Sequence, residues 1–213
     1  MKTGILFDLD GTLLDTLQDL ADSVNHILSV YGCPGRSKEE IRSFLGNGAR
    51  YLIEQSLPGT PNDPPLDEAL ARYQDWYDTH SQIKTRPYEG VLEALAEIRK
   101  EFPVAVVSNK PDRAVKPLCR KFFGEDIFTL GESSVCPRKP APDMVYQGMA
   151  AIGVEKCIYV GDSEVDVLTA NNAAVPCLSV LWGFRDKDFL VENGATHFCD
   201  DPRDMLRCLK ELM

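Results

Sequence analysis

The sequence predicts an α/β fold in which a doubly wound parallel sheet carries a small inserted α-helical domain. Two observations indicate this class of fold. After about residue 85, helical patterns alternate with short apolar runs, as in parallel sheets covered by helices on both faces. Between residues 15 and 85 no run has the character of a strand, so a helical segment interrupts the alternation after its first strand.

The first strand is the apolar run that begins at Ile5 and stops at Asp8. Asp10 follows two residues later, and Gly11 indicates a sharp turn after the strand. Such a turn aims both carboxylates around one point, where they repel unless a cation or a proton separates them. The pattern therefore indicates a metal ion, a division into nucleophile and acid, or both. The alternative is an ordinary strand end, because Asp and Gly are common turn residues.

The segment after this strand is predicted to be entirely helical. A break at 46–50 and a proline-rich loop at 58–65 divide it. A first helix is expected over 17–31 and a last one over 66–80. Between them we expect two short helices, one that begins at a capping box formed by Ser37 and Glu40, and one that contains Leu52 and Ile53. We therefore expect residues 15–84 to form a lid over a core made of residues 1–14 and 85–213.

The remainder of the chain supplies the other strands and helices of the sheet. Strands are expected at 104–107, 127–130, 157–160, 177–181 and 196–199. Helices are expected near 91–98, at 115–122, after Pro142, at 165–171 and over 202–212.

Composition limits the classes of function. A net charge of −10 argues against a nucleic-acid partner, which normally needs a basic surface. No apolar run approaches the ~20 residues of a membrane span, and no leader precedes the first strand, so we expect a cytoplasmic protein without membrane contact. The 7 cysteines form no Cys-x-x-Cys pair and are expected to be reduced.

Polar residues gather where the predicted strands end, which is where ligands bind in such sheets. Ser108 and Asn109 follow the second strand, Lys139 precedes the strand at 157, and Asp162 and Asp166 follow that strand. Each also has a plain interpretation, as a helix cap or a solvated loop residue. Together they comprise carboxylates, a hydroxyl and an ammonium, a set that suits phosphoryl transfer.

Four segments together resemble the motifs of the haloacid dehalogenase superfamily, in order. They are Asp8-Leu9-Asp10-Gly11-Thr12, Ser108, Lys139-Pro140 and Gly161-Asp162-Ser163-x-x-Asp166. The segments Phe7 to Asn25, Gly46-x-Gly48, Trp182-Gly183-Phe184 and Gly194-Ala195-Thr196-His197 are similar to the phosphoglycolate phosphatase branch. The chain departs from that branch at Tyr88, where proline is more usual, and at Ala141, where histidine is frequent.

The resemblance implies a Rossmann-like core with a helical cap and a two-step hydrolysis of phosphomonoesters. Asp8 is then the nucleophile that forms an aspartyl-phosphate, and Asp10 is the general acid and base. Mg²⁺ is the implied cofactor, held by Asp8, by the backbone carbonyl of Asp10 and by Asp162. Asp166 orders the groups around the metal.

The same resemblance assigns the groups that bind the substrate. Lys139 neutralises the nucleophile and a phosphoryl oxygen, while Ser108 and the backbone N–H groups at Asn109 bind phosphoryl oxygens. Thr12 is expected to position Asp10. In the cap, Gly48 and Arg50 are substrate-binding candidates, because flexible backbone stands beside a cation that suits a substrate carboxylate. A surface arginine after a helix break is the alternative for Arg50.

The expected function is therefore a Mg²⁺-dependent phosphomonoester hydrolase that is a monomer or a homodimer. Its partner is expected to be a small phosphorylated metabolite such as 2-phosphoglycolate. Two alternatives within the superfamily are a β-phosphoglucomutase-like isomerase and a pyrophosphatase or nucleotidase. A receiver-like signalling domain is a more distant alternative, since such domains are much shorter and lack a cap.

Overall fold

The computed structural model of the chain describes residues 2–61 and 63–213. Its main sheet has 6 strands in the order β5-β4-β1-β6-β7-β8, and all the pairs are parallel. These strands are β1 (Thr3–Phe7), β4 (Val104–Pro111), β5 (Phe128–Glu132), β6 (Lys156–Gly161), β7 (Cys177–Val180) and β8 (Phe198–Cys199). The predicted doubly wound parallel sheet is confirmed.

Strand β1 lies near the middle of the sheet because its apolar side chains are covered on both faces. Its residues pair with β4 on one side, as Ile5 with Val104, and with β6 on the other, as Ile5 with Ile158. Side chains alternate along the strand, so Ile5 and Phe7 belong to one apolar cluster and Leu6 belongs to another. A strand buried on both faces needs a continuous apolar run, and β1 has one.

Helices cover the two faces of the sheet. They are α5 (Val91–Glu101), α6 (Asp112–Phe123), α7 (Asp143–Ala151), α8 (Glu164–Ala173), α9 (Lys187–Glu192) and α10 (Met205–Glu211). Among the described residues no helix has the length and apolar character needed to cross a membrane.

Four further helices form a helical unit with an apolar cluster of its own. They are α1 (Leu17–Val30), α2 (Lys38–Ser43), α3 (Gly48–Ser56) and α4 (Leu66–His80). The predicted capping box starts α2, where the backbone N–H of Glu40 donates to the Ser37 hydroxyl and the Ser37 N–H donates to the Glu40 carboxylate. Phe184 and Ala114, outside this unit, belong to its apolar cluster and join it to the sheet domain.

Some elements differ from the sequence prediction. Among the described residues, no strand lies between residues 16 and 85, as expected. Two short strands that the sequence did not predict, β2 (Leu14–Asp15) and β3 (Arg86–Pro87), form an antiparallel pair where the chain enters and leaves the helical unit. Helix α9 was not predicted, because Leu190 is its one buried residue and no apolar period marks it. The expected break at 46–50 ends earlier, since α3 already begins at Gly48.

Candidate active site

The sequence-predicted polar residues meet at the carboxyl end of the three central strands. Asp8 follows β1 directly, Ser108 and Asn109 lie in the last part of β4, and Asp162 follows β6. Since β1 lies between β4 and β6, the parallel arrangement places these strand ends side by side.

Three buried carboxylates form an acidic cluster. Asp8, Asp162 and Asp166 each offer one oxygen, and these oxygens all lie within 4.8 Å of one another. The ammonium of Lys139 enters the same cluster, at 3.0 Å from Asp8 Oδ1 and 2.8 Å from Asp166 Oδ1. Its third contact is the hydroxyl of Tyr159, at 3.0 Å. The lysine that the sequence placed in a loop is therefore almost completely buried between carboxylates.

Burial shifts the ionisation of this cluster. It raises the pKa of Asp8 to about 7, although the charge of Lys139 opposes the shift and Asp166 and Asp10 add to it. The pKa of Asp162 rises well above its usual value through burial and the charges of Asp166 and Asp8. Burial alone would lower the pKa of Lys139, but Asp166 and Asp8 raise it well above its usual value. Three carboxylates against one ammonium leave the cluster short of positive charge.

The cluster fits a divalent metal ion because its acceptors are not all used. Asp166 accepts hydrogen bonds from the backbone N–H groups of Asp162 and Ser163, from the Ser163 hydroxyl, and from Lys139. By contrast, Asp8 Oδ1 lies 3.0 Å from Lys139 Nζ but makes no well-directed hydrogen bond with any described residue. A buried carboxylate oxygen without a directed donor, in a cluster lacking two positive charges, suits a hard cation such as Mg²⁺.

Asp162 is held from both sides. The Thr12 hydroxyl donates to Asp162 Oδ1 at 2.8 Å, and the backbone N–H of Phe184 donates to Asp162 Oδ2 at 2.7 Å. Thr12 was expected to position Asp10, but the structure gives its hydroxyl to Asp162 instead. The cause is the adjacency of β1 and β6, which brings Asp162 next to the turn after β1.

Asp10 has a partner that the sequence analysis did not assign. Both of its carboxylate oxygens accept from Lys110 Nζ, each at 2.9 Å. The Lys110 side chain is only 4% exposed. The available signal was a lysine two residues after Ser108, close behind the apolar run that forms most of β4, which is an unusual place for a long charged side chain.

The side chain of Asn109 binds the protein. Its amide nitrogen donates to the carbonyl oxygens of Gly46 and Lys139, and its amide oxygen accepts from the Lys139 N–H at 2.7 Å. Any phosphoryl contact from Asn109 would therefore come from its backbone. The Ser108 hydroxyl accepts from the backbone N–H of Lys110 and lines the cavity described below.

A cavity separates the helical unit from the acidic cluster. Its empty space, taken together with its opening to solvent, amounts to about 690 Å³. Asp8, Asp10 and Ser108 line its floor, and leucine, alanine and tyrosine side chains of α1, α3, α4 and α6 line much of its wall.

The two cap candidates from the sequence have different positions. Gly48 lines the cavity with φ +80°, a conformation that favours glycine. Arg50 is not among the residues that line the cavity, because its guanidinium is half exposed and pairs with Asp67 at 2.6 Å. The structure thus does not bring Arg50 to the site.

Two arginines join the helical unit to the sheet domain. Arg42 of α2 donates to the carbonyl oxygens of Gly183 and Phe184, each at 2.7 Å. In the opposite direction, Arg185 donates to the Leu45 carbonyl oxygen at 2.8 Å. Arg42 thus binds the same segment whose Phe184 N–H holds Asp162, and Arg185 follows that segment directly.

Replacing Gly11 with alanine is expected to lower the free energy of unfolding by about 2–4 kcal/mol, from the strained backbone and the steric overlap together. Gly11 has φ +83°, and a Cβ built there would lie 2.2 Å from Asp162 Oδ2. Urea denaturation of Gly11→Ala measures the loss. Gly32→Ala is the matched control, since Gly32 has φ +66° but open space around it, and we expect a cost of about 1 kcal/mol. Equal losses in the two variants would show that Asp162 is not displaced.

Comparison with known proteins agrees with this geometry. The model of the haloacid dehalogenase-like hydrolase family matches residues 5–180. Phosphoglycolate phosphatase 1 of Pseudomonas aeruginosa is 34% identical over 96% of this chain and 78% of its own length. Phosphoglycolate phosphatase of Colwellia psychrerythraea is 30% identical over 98% of this chain and 97% of its own length.

Solved structures show the same relationship. A Lactobacillus delbrueckii subsp. bulgaricus protein assigned as a phosphoglycolate phosphatase has a TM-score of 0.88 and 34% identity, over 98% of this chain and 99% of that chain. A predicted phosphoglycolate phosphatase of Haemophilus somnus has a TM-score of 0.85 and 26% identity, over 97% of each chain. The protein therefore belongs to the haloacid dehalogenase-like hydrolase family. Within it, the chain is a phosphatase of the phosphoglycolate phosphatase-like branch.

Proposed function

We propose that the protein is a Mg²⁺-dependent phosphomonoester hydrolase that acts through an aspartyl-phosphate on Asp8. Its proposed substrate is 2-phosphoglycolate or another similarly small phosphorylated metabolite. The observation that carries the proposal is the position of Asp8, a buried carboxylate at the cavity floor, 3.0 Å from the Lys139 ammonium and two residues from Asp10. The names of the relatives support the choice of substrate.

Each step uses a residue of the cavity floor. An oxygen of Asp8 attacks phosphorus, and the bond from phosphorus to the leaving oxygen breaks. Asp10 gives its proton to the leaving oxygen and later takes a proton from the water that attacks the aspartyl-phosphate. That second attack breaks the bond between Asp8 and phosphorus, releases inorganic phosphate and restores the carboxylate of Asp8.

Asp8, Asp162 and the backbone carbonyl of Asp10 are the proposed ligands of Mg²⁺. The ion supplies positive charge for the phosphoryl oxygens. Thr12 and Asp166 hold this arrangement in place, Thr12 through its bond to Asp162 and Asp166 through its contact with Lys139.

The magnitude of the required acceleration explains why so many groups converge. Enzymes accelerate phosphate-monoester hydrolysis by up to ~10²¹-fold. A general acid such as Asp10 contributes about 10²–10⁴ of this factor. Most of the remainder must come from positioning and from positive charge near the phosphoryl group. Lys139 provides such a charge, and Ser108 and the Asn109 backbone are the proposed phosphoryl-binding groups beside it.

The proposed division of the chain follows from the position of the cavity. Residues 1–14 and 85–213 form the core that carries the reacting groups, and residues 15–84 form the cap that covers them. Arg42 and Arg185 support this assignment, because their hydrogen bonds cross from one part to the other.

The test is phosphate release from a panel of esters with and without Mg²⁺. The panel contains 2-phosphoglycolate, β-glucose 1-phosphate, a nucleoside monophosphate and pyrophosphate, with Asp8→Asn as the control. Mg²⁺-dependent release that strongly favours 2-phosphoglycolate is the expected result. Conversion of β-glucose 1-phosphate into its isomer without phosphate release would favour a mutase, and preferred release from pyrophosphate or the nucleotide would change the substrate class.

Mg²⁺ is expected to raise Tm by about 5–10 °C at pH 8 and by much less at pH 5.5. The pKa of Asp8, raised to about 7, and the raised pKa of Asp162 mean that these groups favour the metal-free fold at low pH. That contribution disappears as pH rises through about 7. Carboxylates bind a metal ion only when they are deprotonated. The ion therefore stabilises the protein at high pH, where the charged carboxylates of the metal-free protein destabilise it.

Differential scanning fluorimetry measures this effect across pH 5.5 to 8. Asp162→Asn is the control, because it removes one proposed ligand while keeping the size of the side chain. A Tm increase that is the same at both pH values, or that persists in Asp162→Asn, would contradict the proposed metal site.

A further inference from the structure

The mechanism proposed above gives no role to Lys110. Its ammonium is nevertheless buried at the cavity, where the side chain is 4% exposed and bound to both oxygens of Asp10. Lys110 also lies against the ring of Tyr77, with Nζ 4.7 Å from the ring centroid. A buried ammonium with one counter-ion, on the wall of a substrate cavity, is a candidate for binding an anionic group.

The size of the proposed substrate limits where such a group can bind. In 2-phosphoglycolate a single carbon separates the ester oxygen from the carboxylate, so their oxygens are within roughly 4 Å of each other. Asp10 must contact the ester oxygen to protonate it. A cation that binds the carboxylate must therefore stand directly beside Asp10, and Lys110 does, at 2.9 Å.

The other cations near the cavity are committed elsewhere. Lys139 lies between Asp8 and Asp166 at the acidic cluster. Arg113 lines the cavity, but its guanidinium is half exposed and pairs with Asp78. Among the described residues that line the cavity, Lys110 is thus the cation best placed for a carboxylate next to the ester.

Tyr77 provides a second, independent observation. It lines the same cavity, it is 4% exposed, and its buried hydroxyl has no hydrogen-bond partner among the described residues. A buried hydroxyl without a partner is costly, and a ligand that carries an acceptor removes that cost. Tyr77 belongs to the apolar cluster that also contains Leu20, Leu52 and Tyr73, and its ring stacks on the ring of Tyr73.

We propose that Lys110 and Tyr77 bind the carboxylate of the substrate and make the enzyme selective for short phosphomonoesters with a carboxylate beside the ester carbon. Both carboxylate oxygens of Asp10 accept hydrogen bonds from Lys110. When one of these oxygens turns toward the ester oxygen, the ammonium of Lys110 loses one of its acceptors. The substrate carboxylate replaces that acceptor. An ester that has a neutral group in place of the carboxylate does not replace that acceptor, so the buried ammonium of Lys110 is left with fewer hydrogen-bond partners. The inference rests on the proposed phosphatase function and names its specificity-determining residues.

The experiment compares two esters that differ only at this group. They are 2-phosphoglycolate and 2-hydroxyethyl phosphate, in which a hydroxymethyl group replaces the carboxylate. The readout is selectivity, the ratio of kcat/KM for the two esters at saturating Mg²⁺. Lys110→Met is expected to lower this ratio by about 10- to 100-fold, and Tyr77→Phe by about 5-fold. Lys110→Arg keeps the charge and is expected to keep most of the selectivity.

Arg113→Met is the matched control, since it removes a cation from the same cavity and is expected to change the ratio by less than about two-fold. Selectivity separates binding of the carboxylate from a general loss of activity, because a structural defect lowers kcat/KM for both esters together. Tyr77→Phe keeps the volume of the side chain and so decides the question if Lys110→Met does not fold.

The outcomes distinguish this inference from the proposed function. Equal hydrolysis of the two esters would overturn the inference and leave the phosphatase in place. The same conclusion would follow if Lys110→Met lowered kcat/KM equally for both esters and Tyr77→Phe left the ratio unchanged. Release of phosphate from neither ester would overturn the inference and exclude 2-phosphoglycolate as the substrate, while release from another ester of the wider panel would leave the phosphatase in place. Collapse of the ratio in Lys110→Met, together with its retention in Arg113→Met, supports the inference.

Discussion

Phosphate release is expected to fall by at least about 10⁴-fold when Asp8 is replaced by asparagine. The amide keeps the shape of the carboxylate but cannot form the aspartyl-phosphate at a useful rate. The fold is expected to survive, because burial already raises the pKa of Asp8 to about 7 and thus disfavours its charged form. In the metal-free protein at pH 8, Asp8→Asn should therefore be at least as stable as the unaltered chain.

A phosphate-release assay and urea denaturation on the same preparation separate these two effects. Asp22→Asn on the exposed part of α1 is the control, since it removes one carboxylate that the cavity does not contain. Activity of Asp8→Asn within tenfold of the unaltered protein would exclude Asp8 as the nucleophile. Loss of activity together with loss of the fold would contradict the expectation that the asparagine side chain does not destabilise the protein.

Lys139→Met is expected to lower kcat/KM by about 10³-fold and the free energy of unfolding by about 3–5 kcal/mol in the absence of metal. The ammonium is buried between Asp8 and Asp166, at 3.0 and 2.8 Å. Its removal leaves buried carboxylates without the cation that compensates them, and it removes a positive charge from the proposed phosphoryl site. Methionine keeps the length of the side chain and leaves little space unfilled.

A second variant separates the two roles of Lys139. In Lys139→Met combined with Asp166→Asn, one excess negative charge is removed, so stability is expected to recover while activity does not. Steady-state kinetics and urea denaturation measure both quantities, with the exposed Lys156→Met as the control. Recovery of activity in the double variant would show that Lys139 acts only by balancing Asp166.

Two residues of the acidic cluster could be predicted from the sequence because each directly follows an apolar run. Asp8 and Asp162 directly follow the buried strands β1 and β6, and the order of the strands then brings them together. The capping box of α2 was equally accessible, since its partners are three residues apart. Such local patterns depend on few neighbours, so one sequence is enough to identify them.

The partners of several side chains were not accessible in this way. Thr12 is separated from Asp162 by 150 residues, and Lys110 is separated from Asp10 by 100 residues. Nothing in the short segment around either residue marks its distant partner. The assignment of Thr12 to Asp10 was wrong for this reason, and the role of Lys110 was missed.

The cap shows the same limit. Gly48 lies in the cavity wall, and the glycine-containing break that drew attention to it is visible in the sequence. The direction in which Arg50 points depends on the rotation of α3 against α4, where Asp67 offers a partner at the surface. A helix rotation is set by packing of the whole apolar cluster and not by the residues on either side of the arginine.

The sequence by itself determined the α/β class, the order of the main strands and helices along the chain, and the set of polar groups at the strand ends. These follow from side-chain periodicity and turn chemistry, which act over a few residues. Only the tertiary structure decided that Lys139 is buried between two carboxylates, that Lys110 holds Asp10, and that Arg50 lies outside the cavity. Such contacts join strands and helices far apart in the chain, so they depend on the order of the sheet and on helix packing.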